Sequence, residues 1–411
     1  MKPGTADPMK KAALFLVYLL VLPGAYAQDE PKKTDLKGYV KLLGSFNYFN
    51  KDYIPPLAAD LFPAQYQDYQ IHNRFDFKYY PSKSWSLGAG MRNRLFWGYS
   101  VGNEPQPGQP DFYNSLDQDN GLVDLSYLYF DSDAVLLHTI FDRLWGQWES
   151  SKWIIRLGRQ RINWGVNTVW NPNDIFNQYN YFDFDYEERP GSDALRVQYF
   201  PNFKSTLELG FAPAKQIGQS VAAMLYKANR WQYDFQFLAG YYKEDLTAGT
   251  GWAGSIKNVG FKGEANYYHP LQEGGESNFT ASTALDYLFG FGLYTQLSYL
   301  YNGLGTTDPT IFSFAGLGAN QVQGPKNIFP FKHTLFTQTG GNITPLFRAD
   351  AGLMFTPDLK NIILFPTLTY SLASNLDALL ALQYFISQNP LENNNVEWLS
   401  GTVFGRLKYS F

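Results

Sequence analysis

The chain contains no cysteine. That excludes disulfides, thiolate metal sites and a lipid-anchored cysteine behind a leader segment. Beyond residue 27 there is also no apolar run approaching the ~20 residues of a membrane-spanning helix. If this chain crosses a membrane, it must do so as a closed sheet, because lipid offers no partner to open backbone groups. A basic excess is missing too: 33 Lys and Arg stand against 37 Asp and Glu. Nucleic acid is therefore not an expected partner. Histidine is scarce, and His72, His138, His269 and His333 are all far apart in sequence. No metal motif forms and no catalytic set stands out, so neither a cofactor nor an enzymatic activity is expected.

Aromatic residues are abundant. Phe, Tyr and Trp make up 18% of the chain, yet the mean hydropathy is only -0.30. A soluble protein with that load would need a very large core. A membrane barrel would not, because its aromatics sit at the two lipid–water interfaces and its inner face is wet.

The N-terminus reads as a secretory signal. Lys10 and Lys11 are followed by an apolar stretch from Ala12 to Leu22, a Pro23-Gly24 break and a small-x-small site at Ala25-Tyr26-Ala27. The expected organisation is a cleaved signal over 1–27, a short periplasmic segment over 28–37 and an outer-membrane β-barrel over 38–411.

The strands announce themselves by alternation. In Gln70 to Tyr80, Ile71, Phe75, Phe77 and Tyr79 alternate with His72, Arg74, Asp76 and Lys78. A helix would scatter those charges around its circumference, whereas a strand puts them on one face. The last segment does the same. Val403, Leu407, Tyr409 and Phe411 lie on one face, with Thr402, Arg406, Lys408 and Ser410 on the other. Such a segment closing on a terminal Phe resembles the C-terminal signature of bacterial outer-membrane barrels. The resemblance implies that the barrel-insertion machinery reads Phe411.

Up to eighteen such segments run from 38–49 to 398–411, among them 122–131, 249–256 and 334–341. Without the last two, sixteen remain. The fold class expected is an all-β, antiparallel up-and-down transmembrane barrel of 16–18 strands. Connections are lopsided, with short ones such as 81–84 and 201–203 set against long ones at 98–121, 161–191, 303–333 and 387–397. Short periplasmic turns and long external loops are the outer-membrane pattern. One segment breaks it. Asp133 to Ser151 should be periplasmic but is long, and Val135, Leu136, Ile140 and Leu144 carry helical spacing. It is expected to be a short helix on the lower rim, or a plug.

Alternation also sorts the lumen. Strands from the two ends of the chain become neighbours on closure, and they point Lys41, Arg74, Lys78, Arg92, Arg94, Arg156, Arg196, Arg406 and Lys408 inward. The middle strands offer Glu208, Asp234, Glu264, Asp350 and Asp377 against Lys262 and Arg348. One wall is expected to be basic and the other mildly acidic. A basic ladder across a pore attracts anions and weakens as salt rises.

The most distinctive motif is Gly158-Arg159-Gln160-Arg161-Ile162-Asn163-Trp164-Gly165, followed by Trp170 and Asn171-Pro172-Asn173-Asp174. A long aromatic-rich loop is seldom idle, so it is expected to fold inward and narrow the channel. Arg161, Trp164, Trp170, Asp174, Asp183, Asp185 and Glu187 would form the constriction, with the carboxylates facing the basic wall. Trp164, Trp170, Tyr179 and Tyr181 would either stack on sugar rings or pack the loop against the barrel. The motif resembles porin-like outer-membrane families with a Gly-Arg-Gln…Trp-Gly strand-to-loop turn and, more distantly, alginate-export channels. The resemblance implies a passive diffusion or export channel with an inward-folded loop.

Two functions follow. One is a porin-like channel for small hydrophilic solutes, leaning to anions or acidic sugars. The other is a non-conducting structural or adhesive barrel, whose loops bind an outside partner through apolar residues such as Ile311, Phe312, Phe314, Leu317, Ile328, Phe329 and Phe331. Either barrel would carry lipopolysaccharide at outward basic positions.

Overall fold

The computed structural model describes residues 33–53, 63–102, 112, 121–132, 134–177, 191–307, 324–358, 360–389 and 395–411. The expected signal segment and the first half of the segment after it lie outside these residues. Among the described residues nineteen strands form one antiparallel sheet. They are β1 (Thr34–Phe49), β2 (Gln65–Ser82), β3 (Trp85–Gly98), β4 (Ser126–Ser132), β5 (Val135–Glu149) and β6 (Trp153–Gln160). Next come β7 (Ser192–Asn202), β8 (Ser205–Ala212), β9 (Val221–Arg230), β10 (Tyr233–Tyr242), β11 (Asp245–Ile256) and β12 (Val259–Pro270). The chain finishes with β13 (Asn278–Leu288), β14 (Tyr294–Asn302), β15 (His333–Thr344), β16 (Phe347–Thr356), β17 (Asn361–Ala373), β18 (Leu376–Asn389) and β19 (Asn395–Ser410).

Eighteen of them close a barrel, sealed where β1 pairs with β19 from Tyr39↔Ser410 to Phe49↔Ser400. Phe411 extends that seam. Its N–H and C=O both bond Gly38 at 3.0 Å, and its ring packs 5.8 Å from that of Phe75. A Cβ on residue 38 would lie 2.7 Å from the Phe411 ring, so glycine is what lets the terminal ring lie flat on the sheet.

The barrel is inside-out relative to a soluble core. Leu36, Leu42, Phe77, Leu157, Leu297, Leu380 and Leu407 are exposed on its exterior. Lys41, Arg74, Glu208, Gln236 and Glu264 are buried inside it. No helix among the described residues is long and apolar enough to cross a membrane. The closed sheet satisfies its own backbone groups and presents an apolar belt, which is what a bilayer requires. At one end every connection is short, as at 83–84, 203–204 and 231–232, and this is the periplasmic end. The 231–232 turn has positive φ at both residues (Trp231 53°, Gln232 66°), the backbone that follows the twist of the flanking strands.

The 133–151 expectation is corrected. The segment is neither a rim helix nor a plug. It is β5, a wall strand that pairs with β3 along one edge. A β-bulge interrupts its alternation: Gly90 opposes Arg143 and Met91 opposes Phe141, leaving Asp142 as the extra residue. Residues four apart share a face in a strand as in a helix, so Leu136 and Ile140 lie on the face of Arg92, and past the bulge Leu144 is exposed on the other. The expected 122–131 strand shrinks to β4, which pairs with the upper part of β5 beside β6 and adds no strand to the ring. One gain and one loss keep the parity, so both termini of the barrel still point to the periplasm. Segments 249–256 and 334–341 are true wall strands, within β11 and β15.

Candidate functional site: an eccentric lumen behind a latched loop

The Gly-Arg-Gln motif is where wall becomes loop. Gly158 has φ 115°, and a Cβ there would meet the Leu144 carbonyl at 2.3 Å, so only glycine fits. Arg159 turns back to Asp193 at the start of β7, with Nε and Nη2 donating to its two carboxylate oxygens at 2.8 and 2.9 Å. Gln160 donates to the Ala194 carbonyl at 2.9 Å. These two residues clamp the outgoing root of the loop to its returning root.

Beyond them, residues 161–177 enter the lumen and follow the wall from β8 to β17. Ile162, Trp164, Ile175 and Phe176 are buried with Val221, Leu225, Leu238 and Tyr268. Trp170 is buried farther round, with Leu300, Phe329, Phe331, Met354 and Ile363. Wall glycines make room. A Cβ on Gly210 would strike Phe176 at 2.5 Å, and one on Gly249 would strike Asn173 at 2.2 Å. Gly165 lies equally close to Asn171, which links the Trp-Gly and Asn-Pro halves of the motif.

Two wall carboxylates latch this loop. Glu208 accepts the Trp164 indole N–H and forms a salt bridge with Arg196 at 2.7 Å. Glu264, fully buried on β12, accepts backbone N–H groups from Val166, Asn167 (2.9 Å) and Asn173 (2.9 Å). Asn266 and Tyr268 donate to the Pro172 carbonyl at 3.0 and 3.3 Å. Ser282 donates to the Trp170 carbonyl at 2.9 Å.

This geometry revises two expectations. Glu208 and Glu264 do not form a free acidic wall, because the loop covers them. Asp174 does not face the basic wall. It is buried in the loop's own turn, accepting from Trp164 N (3.4 Å) and Asn177 Nδ2 (2.9 Å), because a tight turn must satisfy its inward N–H groups. Trp164 and Trp170 are 0% exposed, so they pack the loop and present no ring to a sugar. Asp183, Asp185, Glu187, Tyr179 and Tyr181 lie outside the described residues. Ile311, Phe312, Phe314 and Leu317 do as well, while Ile328, Phe329 and Phe331 are buried against Trp170.

The loop lies against one side of the barrel, and the inward basic side chains lie on the other, under β19, β1, β2, β3, β5 and β6. There Arg74 and Arg92 share Asp142 at 2.8 and 2.7 Å, and Arg74 also bonds Asp76 at 2.7 Å. Arg94 meets His138 at 3.3 Å. Lys41 and Lys408 lie over the Tyr39 ring at 5.2 and 4.5 Å, with Arg406 one inward position away. Arg196 faces the loop side through Glu208. Toward the periplasm a cavity of about 360 Å³ opens, with Lys37, Arg74, Lys78, Arg143, Arg156 and Arg161 in its lining against Asp35 and Asp76. Arg156 stacks on the Trp145 ring at 4.3 Å and donates to Gln147 at 2.8 Å. Cations grouped on a low-dielectric wall focus a positive potential into the passage.

The barrel matches solved outer-membrane porins. OccAB4 of Acinetobacter baumannii superposes with a TM-score of 0.57 at 8% identity, over 92% of this chain and 99% of that one. A BenF-like porin of Pseudomonas fluorescens gives 0.56 at 9% identity, over 92% and 99%. OpdK of Pseudomonas aeruginosa, solved with vanillate, gives 0.53 at 10%, again over 92% and 99%. At such identities the likeness is one of fold. No family model matches the chain, and no curated protein matches its sequence.

Sequence reasoning missed four residues of the basic side. Asp142, Arg143 and Trp145 lie in the strand mistaken for a helix, and Lys37 lies in the segment assigned to the periplasm. An alternation scan that allowed one bulge would have recovered the first three.

Proposed function

We propose that this protein is a porin-type channel of the outer membrane. It would pass small hydrophilic solutes by diffusion and lean to anions, including carboxylates and acidic sugars. The observation that carries this reading is the asymmetry of the lumen. The loop covers Glu208 and Glu264 on one side, and a cavity with Arg74, Arg143, Arg156 and Arg161 in its lining opens on the other. An anion moving along that track exchanges water for successive guanidinium groups, each bound weakly enough to release it. The vanillate in OpdK is an aromatic carboxylate, which accords with such a track. The alternative adhesive barrel is not favoured, because the described part of its apolar patch is buried. Lipopolysaccharide at the outer leaflet and barrel-insertion machinery acting on Phe411 belong to the same proposal, as does the signal segment ending near Ala27.

Replacing Arg156 and Arg161 with Glu should lower the anion-to-cation permeability ratio by at least about twofold, read as the reversal potential in a salt gradient. An unchanged reversal potential would remove the basic track as the selectivity element.

A further inference from the structure

The periplasmic turns carry a pattern that conduction does not use. Five consecutive turns around the ring each hold one exposed cation: Lys83 (β2–β3), Lys152 (β5–β6), Lys204 (β7–β8), Arg230 (β9–β10) and Lys257 (β11–β12). None of these turns contains an acid. Glu149, at the end of β5, faces the lumen side and accepts from Gln147 at 3.3 Å. Each cation also has an exposed apolar neighbour within two residues. These are Trp85, Trp153, Phe203, Trp231 and Ile256. Arg230 sits 4.9 Å over the Trp231 ring. The other three periplasmic turns (289–293, 345–346 and 374–375) hold no charge. The outer rim is mixed, with Glu244 beside Lys243, Asp358 beside Lys360, and Glu273 and Glu276 in one loop.

We propose that this arc is a binding surface for anionic glycerophospholipid of the inner leaflet. A cation beside an interfacial aromatic is the pair that fits such a lipid. The ring sits at the headgroup–acyl boundary while the long basic side chain reaches the phosphate. One cation at an anionic surface is worth about fivefold in local lipid occupancy. Five in a row, set against three neutral turns and the β1–β19 seam where Lys37 pairs with Asp35, make the enrichment one-sided. The outer loops carry an acidic excess, with five acids and no Lys or Arg between residues 99 and 125, so the periplasmic arc dominates the preference.

The test uses the refolded full chain without its leader, in detergent micelles containing equal phosphatidylglycerol and phosphatidylethanolamine. Native mass spectrometry counts the lipid retained. Phosphatidylglycerol should be preferred by at least about fivefold, and the preference should fall as salt rises. A variant with Lys83→Gln, Lys152→Gln, Lys204→Gln, Arg230→Gln and Lys257→Asn should lose it; Asn is chosen because residue 257 has φ 56°. A control with Lys215→Gln, Lys243→Asn and Lys360→Asn, the last two also at positive φ, should keep it. Heat-modifiable mobility reports folding, and Lys83→Gln with Lys152→Gln and Lys204→Gln serves if the larger variant does not fold. No preference in the parent protein would overturn the proposal, as would equal loss in the arc variant and the control. So would an unaltered lipid preference in an arc variant that has instead lost binding to isolated peptidoglycan.

Discussion

Glu264 shows how a single residue can decide a channel's bore. Its two oxygens accept three loop N–H groups inside the barrel. Removing the carboxylate leaves those donors buried and unpaired, at about 1–3 kcal/mol each. Glu264→Ala should therefore loosen residues 161–177 and give larger, noisier single-channel currents. Glu264→Gln, which keeps one acceptor oxygen, should fall between. Currents identical to those of the parent would mean that the apolar contacts hold the loop alone. Gly165 acts at the same scale. A Cβ would come 2.2 Å from Asn171 Oδ1, so Gly165→Ala should disturb the turn and raise conductance fluctuations. Neither role can be read from the chain. Glu264 is an ordinary inward acid on its strand, and its partners lie about ninety residues upstream.

Two elements, the 161–177 loop and strand β5, carry most of what separates this barrel from a plain one. The loop's anchors are Trp164 and Trp170, each in its own buried cluster. Truncating a buried Trp costs about 3–5 kcal/mol, so the pair Trp164→Ala with Trp170→Ala should release the loop and raise single-channel conductance, while the barrel stays folded by heat-modifiable mobility. Unaltered conductance would place the loop outside the conducting path. The inward fold of this loop was legible from its aromatic load, since so many rings are not left in water. The direction of its carboxylates was not, because Asp174 is claimed by the Trp164 backbone N–H and the Asn177 side-chain amide, ten and three residues away. In β5 the bulge at Asp142 interrupted the alternation and so hid a strand, and with it the acid that Arg74 and Arg92 share. Asp142→Asn should leave those two guanidiniums with half their compensation and shift selectivity further toward anions. A shift toward cations would contradict the pairing.

At the scale of the whole molecule, period-two alternation and connection lengths made the closed barrel readable from end to end. What they could not supply was the division of the lumen, which depends on a loop crossing to strands far away in sequence. That division leaves the basic side chains on one side and covers Glu208 and Glu264 on the other. The passage is therefore expected to attract anions, with a preference that fades as the Debye length shrinks. The most direct measurement is the reversal potential of the refolded protein, residues 28–411, in a planar bilayer across a potassium chloride gradient. Open channels whose reversal potential lies on the chloride side, moving toward zero as total salt rises, are expected. A potential on the potassium side, or a folded barrel that passes no current, would contradict the basic passage on which the proposed function rests.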